Sequence, residues 1–334
     1  MPLGSCLVAN LSRMQQRYLG NTGLQVSRLG LGTMTWGRDT DEHEARDQLV
    51  SFVEAGGTLL DTAAGYGYGD SERVIGSLIG DVVPRDDLVL ATKAGIGRRR
   101  GERATNGSRG FLLRELDASL KRLKVDHVDL WQVHTWVPDV PLEETLSALD
   151  FAVSTGRASY VGISNYTGWQ SAQAATWQRA VSGRAVLASN QVEYSLLSRE
   201  VEAEVIPAAA ALGLGILPWS PLGRGVLTGK YRTGTPADSR AASPHFAPFV
   251  GKHLNERSQR IVEAVFRAGE GLGWTPLEVA LAWVRDRPGV TAPIIGARTA
   301  EQLKASLLVE ECELPSEIVA ALDDVSGPGQ GAAE

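Results

Sequence analysis

Val128-Asp-Leu-Trp-Gln-Val-His134 is an apolar run of strand length that ends on a histidine. An amphipathic stretch at residues 109–123 precedes it and another at 142–155 follows, so the run sits inside a β-then-α alternation. The same pattern extends outward in both directions. Further short aliphatic runs lie at Arg28-Leu-Gly-Leu-Gly32, Gly57-Thr-Leu-Leu-Asp61, Leu88-Val-Leu-Ala-Thr92, Tyr160-Val-Gly-Ile-Ser164, Leu187-Ala-Ser-Asn-Gln191, Gly215-Ile-Leu-Pro-Trp219 and Ala292-Pro-Ile-Ile-Gly296. Helical stretches at 42–55, 71–79 and 200–212 belong to the same series, several of the helices opened by Ser, Asp or Pro. Eight such strands predict a single (β/α)8 TIM barrel, although 334 residues also leave room for two domains. A doubly wound sheet is the competing arrangement. Its nucleotide fingerprint should follow the first strand, and Gly30-Leu-Gly32-Thr-Met-Thr35 lacks the third glycine, a test that Gly65-Tyr-Gly67-Tyr-Gly69 also fails.

The composition fits a globular chain with a sizeable core: 43% hydrophobic, 22% charged, net charge -6. An acidic balance argues against nucleic acid as a partner, since phosphate binding needs clustered cations. The basic run Arg98-Arg-Arg-Gly-Glu-Arg103 falls in the loop after the third strand and reads as a solvated loop. Cys6 and Cys312 stand near opposite ends and make neither a disulfide framework nor a metal knuckle; no metal is expected. A reducing compartment, with the cytoplasm as default address, is the natural reading, and no membrane is expected. The most apolar window, 205–219, is broken by Pro207, Gly213, Gly215 and Pro218 and is too short to cross a bilayer. Residues 1–16 read as a loose extension, 17–322 as the barrel and 323–334 as a flexible tail. Residues 220–254, rich in Gly, Pro, Ser and Thr, form a long loop after strand seven.

Barrels place their chemistry at the C-terminal ends of the strands. Asp61, Lys93, His134, Ser164, Asn165 and Gln191 all terminate or follow such runs, and Tyr66 lies five residues beyond Asp61, able to turn back over the mouth. Each has an ordinary alternative: Asp61 as a cap, Lys93 as a solvated lysine, His134 as a hydrogen-bonded structural histidine, Tyr66 as a packing residue. Together they make one acid-base device. Lys93 would lower the phenol's pKa toward the working pH, Asp61 would hold Lys93 charged and aimed, and Tyr66 would give a proton to a carbonyl oxygen that His134 orients. A proton donor of this kind needs something to attack the carbon. Neither a cysteine nucleophile, a metal cluster nor a Ser-His-Asp order supplies it, so an external hydride donor fits best.

These residues stand in motifs that resemble the aldo-keto reductase superfamily, in the group that includes the potassium-channel β subunits. The motifs are Leu19-Gly-Asn-Thr-Gly-Leu-Gln-Val-Ser-Arg-Leu-Gly-Leu-Gly-Thr-Met34, Asp61-Thr-Ala-Ala-Gly-Tyr66 with Gly69-Asp-Ser-Glu72, Thr92-Lys93, Gln132-Val-His134, Gly162-Ile-Ser-Asn165, Asn190-Gln-Val-Glu-Tyr194, Pro218-Trp-Ser-Pro-Leu-Gly-Arg-Gly225 and Ile295-Gly-Ala-Arg298. The resemblance implies a cytoplasmic, NADPH-dependent reductase of aldehydes or ketones, with Asp61, Tyr66, Lys93 and His134 as its catalytic tetrad. Ser164, Asn165 and Gln191 would hold the nicotinamide carboxamide and Trp219 would stack on its ring. Backbone amides of Ser220, Leu222 and neighbours up to Lys230, a stretch that includes Pro221, Gly223 and Gly225, would straddle the pyrophosphate, and Gly32, Thr33, Met34 and Asp61 also count among the cofactor contacts. Gly296, Ala297, Arg298, Thr299 and Gln302 match the adenosine end, and an Arg298 pairing with a 2′-phosphate favours NADPH over NADH. Ser306 departs from the Asn that many relatives carry against the adenine. Trp36 and Trp136 would wall an apolar substrate pocket or pack in the core. Two other functions compete. One is a cofactor-sensing regulatory partner that keeps the tetrad, as the channel subunits do, with self-association open. The other is a barrel glycoside hydrolase, which needs two opposed carboxylates, whereas the fourth and seventh strands end in His134 and Trp219.

Overall fold

The computed structural model describes residues 13–99, 102–232, 234–236, 240–242 and 247–327. Eight strands pair in sequence order, every neighbour parallel, and close on themselves: β1 (Gly30–Gly32), β2 (Leu59–Asp61), β3 (Val89–Ala94), β4 (Val128–Val133), β5 (Ala158–Ser164), β6 (Leu187–Glu193), β7 (Gly215–Trp219) and β8 (Ile294–Ile295). This is the (β/α)8 barrel. The helices α1 (Glu42–Glu54), α2 (Asp70–Leu78), α3 (Arg109–Leu123), α4 (Leu142–Ser154), α5 (Gly168–Arg179) and α6 (Val205–Leu212) return the chain between successive strands. A short helix α7 (Ala247–Gly251) and the longer α8 (Glu256–Leu272) and α9 (Pro276–Arg285) lie between β7 and β8, and α10 (Ala300–Leu307) and α11 (Ser316–Ser326) follow. Their starts are set by local chemistry: the Asp41 and Asn255 side chains cap α1 and α8, and Thr167 and Thr275 close capping boxes on α5 and α9.

The strand period of two decides which side chains reach the mouth. Leu59, Ala91 and Leu130 face the barrel interior, where they pack with Ala188, Leu217, Ala292 and Ile294 in one buried cluster. Leu60, Leu90 and Trp131 face the other way and join the larger layer under the helices. Two residues further along each strand, Asp61, Lys93 and Gln132 therefore point inward again, and His134 follows Gln132 at the rim. An antiparallel hairpin of Gln16–Tyr18 with Gln25–Ser27 closes the opposite end, its Leu19 and Val26 belonging to the interior cluster. Each fully buried aliphatic side chain contributes roughly 1.5–3 kcal/mol, so the mouth stands on a floor that is expensive to move.

Four features differ from the sequence reading. The extension ends before residue 16: the Met14 amide bonds to the Ala55 carbonyl, the Gln15 amide bonds to Glu310, and the Met14 side chain is buried. The last helix continues past 322 to Ser326, because Leu322 and Ser326 are buried and Arg257 binds the Ser326 carbonyl. Residues 328–334 and 1–12 lie outside the described residues. The basic segment is a hairpin, not an open loop: Ile96–Arg99 pairs antiparallel with Glu102–Thr105. The long segment after β7 carries short helical turns at Gly223–Thr228 and Arg240–Ala242 as well as α7. Among the described residues, no helix is long and apolar enough to cross a membrane.

Glycine substitutions separate packing from flexibility. A Cβ on Gly76 would lie 2.2 Å from the Arg122 carbonyl oxygen where α2 crosses α3, whereas one on Gly271 meets nothing within 4 Å. Urea unfolding should therefore find Gly76→Ala less stable by about 1–3 kcal/mol and Gly271→Ala more stable by about 0.4–1 kcal/mol. Equal shifts of one sign would contradict the packing described.

Candidate active site

Asp61, at the end of β2, and Lys93, one residue before the end of β3, meet inside the mouth. The Lys93 ammonium donates to Asp61 Oδ2 at 2.7 Å and to the Thr62 carbonyl at 2.8 Å, and Gln191 from β6 donates its amide to Asp61 Oδ1 at 2.9 Å. Both charged side chains are almost completely buried, at 0% and 2% exposure. A buried pair of this kind is stable only when the remaining lone pairs and protons are also satisfied. Gln191 and the Thr62 carbonyl supply that satisfaction.

Tyr66 hangs from β3 through its loop: the Thr62 amide bonds to Ala91, the Ala64 amide to Lys93, and the Tyr66 amide to Ala63. Gly65 lets this loop pass the second hairpin, since a Cβ there would sit 3.0 Å from the Ile96 carbonyl oxygen. The loop carries the phenol back over the pair, with the Lys93 ammonium 5.2 Å from the ring centroid. The His134 ring meets it edge-on, 5.9 Å between centroids at 80°. The His134 backbone is fixed from both sides, its amide on the Ala94 carbonyl and its carbonyl receiving the Asn165 amide. All four tetrad residues named from the sequence thus converge.

The electrostatics differ from the sequence reading in one respect. Withdrawal from water raises the Tyr66 phenol, the Lys93 charge pulls it down, Asp61 pushes it up, and the balance lies above the ordinary tyrosine value. The expected lowering fails chiefly because burial penalises the phenolate more than the Lys93 charge favours it, with Asp61 opposing the anion as well. Burial alone would depress the Lys93 ammonium, but Asp61 and Tyr66 overcome it and hold Lys93 above its usual value. The site therefore keeps a charged lysine beside a protonated phenol, the state a proton donor requires.

A second set of groups lines the mouth beside the tetrad. Ser164 Oγ donates to the Gln191 carbonyl at 2.8 Å, and the Asn165 amide reaches Ser164 Oγ and holds the Trp219 indole N–H at 3.0 Å through its oxygen. Asn165 adopts φ +59, which aims its side chain across the rim rather than along the strand. After Trp219 the chain turns through Ser220 (φ +53), Gly223 (φ +54), Arg224 (φ +60) and Gly225 (φ +91). Left-handed turns of this type gather backbone N–H groups into an anion-binding concavity. Pro221 and Leu222 lie between these positions, the Gly223 and Gly225 amides close back on the Ser220 and Leu222 carbonyls, and the Lys230 ammonium would be 2.8 Å from a Cβ on Gly225, so it lies over that turn. At the other end Thr299 caps α10, and Gln302 accepts from the Arg298 amide at 3.0 Å. Gly296 is exposed, Ala297 is buried and Arg298 is half-buried. These neutral side chains, the aromatic plate of Trp219 and the turn after it are of the chemistry that suits a nicotinamide dinucleotide.

Other expectations change. Trp36 is fully buried and donates its indole N–H to Gln48 at 3.0 Å, so it belongs to the core and walls no pocket. Trp136 is half-buried and packs edge-on against Tyr166 at 5.2 Å and Trp169 at 5.4 Å. The Thr33 hydroxyl is spent on the Asp61 carbonyl and Ser71, while Gly32 is half-buried and Met34 is exposed. Ser306 Oγ turns back to the Gln302 carbonyl, so it offers the adenine no side chain equivalent to Asn. Sequence reasoning gave no role to Glu193, which stands two residues past the sixth run and inside the motif Asn190-Gln-Val-Glu-Tyr194. It receives Arg224 at 3.2 Å, Lys252 at 2.6 Å and His253 at 3.4 Å, beside a cavity of about 540 Å³ that borders Asn165 and Trp219. Arg224 also stacks its guanidinium 5.4 Å from the Trp219 ring centroid.

Partial burial raises the Glu193 carboxyl, but His253, Lys252 and Arg224 together bring it from 4.5 down to about 2. A depressed folded value stabilises the protein above the unfolded pKa and is lost as pH falls through the folded one, for a contribution of roughly 3 kcal/mol near neutrality. The stability difference between wild type and Glu193→Gln, measured by urea unfolding, should therefore shrink as pH drops from about 4.5 toward 2. A difference that does not change with pH would contradict the arrangement.

Comparison with known proteins agrees with this geometry. The model of the Aldo/keto reductase family matches residues 28–326. The chain is 40% identical over 328 residues to "Uncharacterized oxidoreductase YrpG" of Bacillus subtilis (strain 168), covering 95% of this chain and 97% of that protein. It is 36% identical to "Probable voltage-gated potassium channel subunit beta" of Oryza sativa subsp. japonica, covering 87% and 89%. It is 33% identical to "L-glyceraldehyde 3-phosphate reductase" of Escherichia coli (strain K12), covering 88% and 87%. With the barrel, the Asp61–Lys93 pair and a match across nearly the whole chain in agreement, the chain belongs to the aldo/keto reductase family.

Proposed function

We propose that the protein reduces an aldehyde or ketone to the corresponding alcohol, with NADPH as the hydride source. The observation that carries this reading is the Tyr66 ring held over a buried Lys93–Asp61 pair, next to neutral side chains and an aromatic plate suited to nicotinamide. The coenzyme, when bound, supplies a hydride to the carbonyl carbon. Tyr66 passes its phenolic proton to the carbonyl oxygen as charge develops there, and Lys93 stabilises the tyrosinate left behind. Asp61 keeps Lys93 charged and aimed, and His134 donates a hydrogen bond that orients the oxygen. Ser164, Asn165 and Gln191 hold the carboxamide, and Trp219, itself fixed by Asn165, selects the ring face. The turn from Ser220 through Pro221, Leu222, Gly223 and Gly225 to Lys230 borders the pyrophosphate, Gly296, Ala297, Arg298, Thr299 and Gln302 the adenosine, and Gly32 and Met34, beside the buried Thr33, complete the coenzyme's surroundings. Arg298 at the start of α10 favours the 2′-phosphate of NADPH. Trp136, with Tyr166 and Trp169, forms an aromatic wall for an apolar part of the substrate.

A second reading rests on the rice relative's name: a tetrad-bearing barrel that senses coenzyme for a partner. It predicts coenzyme binding with negligible turnover.

Assays with a panel of aldehydes and ketones, following loss of NADPH or NADH absorbance, should give turnover that prefers NADPH. Tyr66→Phe should lose about 10²–10⁴ in kcat while binding coenzyme, followed by Trp219 fluorescence, as the wild type does. Turnover of Tyr66→Phe at the wild-type rate would exclude the mechanism, and coenzyme binding without turnover would favour the sensing reading.

A further inference from the structure

Ser71 and Glu72 lie in the first turn of α2, and both are fully buried. Ser71 Oγ donates to the Thr33 carbonyl at 2.9 Å and lies 2.8 Å from Thr33 Oγ1 and 2.9 Å from Thr62 Oγ1. Thr62 is the residue after Asp61, and its carbonyl holds the Lys93 ammonium. Glu72 takes the Thr92 hydroxyl at 2.6 Å on one oxygen and Arg122 Nε at 2.6 Å on the other. Thr92 is the residue before Lys93. Two consecutive residues of one helical turn therefore grip the neighbour of Asp61 and the neighbour of Lys93, on the outer face of the barrel. The same turn ends the loop that carries Tyr66.

The Glu72 contact is costly to maintain. Its carboxylate is at 0% exposure and Arg122 at 18%, and removing a charge from water carries a penalty that an apolar side chain would avoid. Helix-to-helix packing does not require it: α2 and α3 already meet at backbone distance at Gly76. What the charge adds is direction. It fixes the outward hydroxyl of Thr92, and through strand alternation it sets where the next side chain, Lys93, points inward. Ser71 does the same for Thr62 and hence for the turn after Asp61.

We propose that the first turn of α2 is a jig, in which Ser71 and Glu72, acting through Thr62 and Thr92, are positioning residues that set the Asp61–Lys93–Tyr66 geometry. The proposal rests on the reaction assigned above for its kinetic readout, and its spectroscopic readout is independent of it. Removing Glu72 would strand Arg122 and risk the fold, so the informative change is Thr92→Val, which keeps the shape and deletes the hydroxyl.

With [15N]lysine labelling, the six lysines of the chain allow the protected Lys93 ammonium signal to be resolved in the full-length protein. Thr92→Val is expected to shift or broaden that signal and to lower kcat by roughly 10- to 100-fold, with coenzyme affinity and KM within about twofold of wild type. Ser71→Ala should show the same split, and Thr92→Ser, which restores the hydroxyl, should restore both readouts. A wild-type signal and wild-type kcat in Thr92→Val, or failure of Thr92→Ser to recover, would overturn the jig. If Tyr66→Phe turns over normally the assigned reaction falls, and the Lys93 signal alone then decides this proposal.

Discussion

The ion pair between Lys93 and Asp61 is the constraint around which the mouth is arranged. Two opposite charges at 0% and 2% exposure persist only if every remaining donor and acceptor is met. That demand recruits the Thr62 carbonyl from the loop after β2 and the Gln191 amide from β6. Gln191 is tied through its carbonyl to Ser164, Ser164 to Asn165, and Asn165 to the Trp219 indole and the His134 carbonyl. One chain of hydrogen bonds thus runs from the proton-donating side of the site to the face where a nicotinamide would lie. In the reaction proposed here, placement of the coenzyme and of the proton relay is a single geometric problem.

The field of the pair also sets the state of Tyr66. A lone ammonium beside a phenol would favour tyrosinate, yet burial opposes the anion more strongly and Asp61 cancels part of the Lys93 field. In the proposed reaction the phenol keeps its proton until negative charge develops on a neighbouring oxygen. Glu193 solves a different problem. It gathers Arg224, Lys252 and His253 and so fastens the long segment after β7 to the end of β6, with Arg224 stacked on Trp219.

Much of this was legible in the sequence because strand ends are legible. The eight apolar runs correspond to eight strands with ends shifted by a few residues, and a polar residue at the end of such a run must face the mouth or the helices. Their places at the ends of those runs made Asp61, Lys93 and His134 candidates together. Signals that depend on long-range partners were not legible. Trp36 resembled a rim residue until Gln48, from α1, supplied its hydrogen bond inside the core. The arginine run looked like a loop because pairing of Ile96–Arg99 with Glu102–Thr105 depends on a register that composition does not encode. The sign of the Tyr66 shift was misread because it is a balance among burial, Lys93 and Asp61, and residue identities give only the participants. Glu72 and Ser71 were visible only as a motif, since their partners Thr92, Arg122, Thr33 and Thr62 come from separate elements.

The central claim is that Asp61 and Lys93 work as one unit. A double-mutant cycle on carbonyl turnover with Asp61→Asn, Lys93→Met and the combined variant tests it most directly, because groups acting together lose their effect together. Each single change should cost nearly as much kcat as the pair, leaving a coupling energy of at least about 1–3 kcal/mol. Losses that simply add, with no coupling, would contradict a shared role and return Lys93 and Asp61 to independent structural duties.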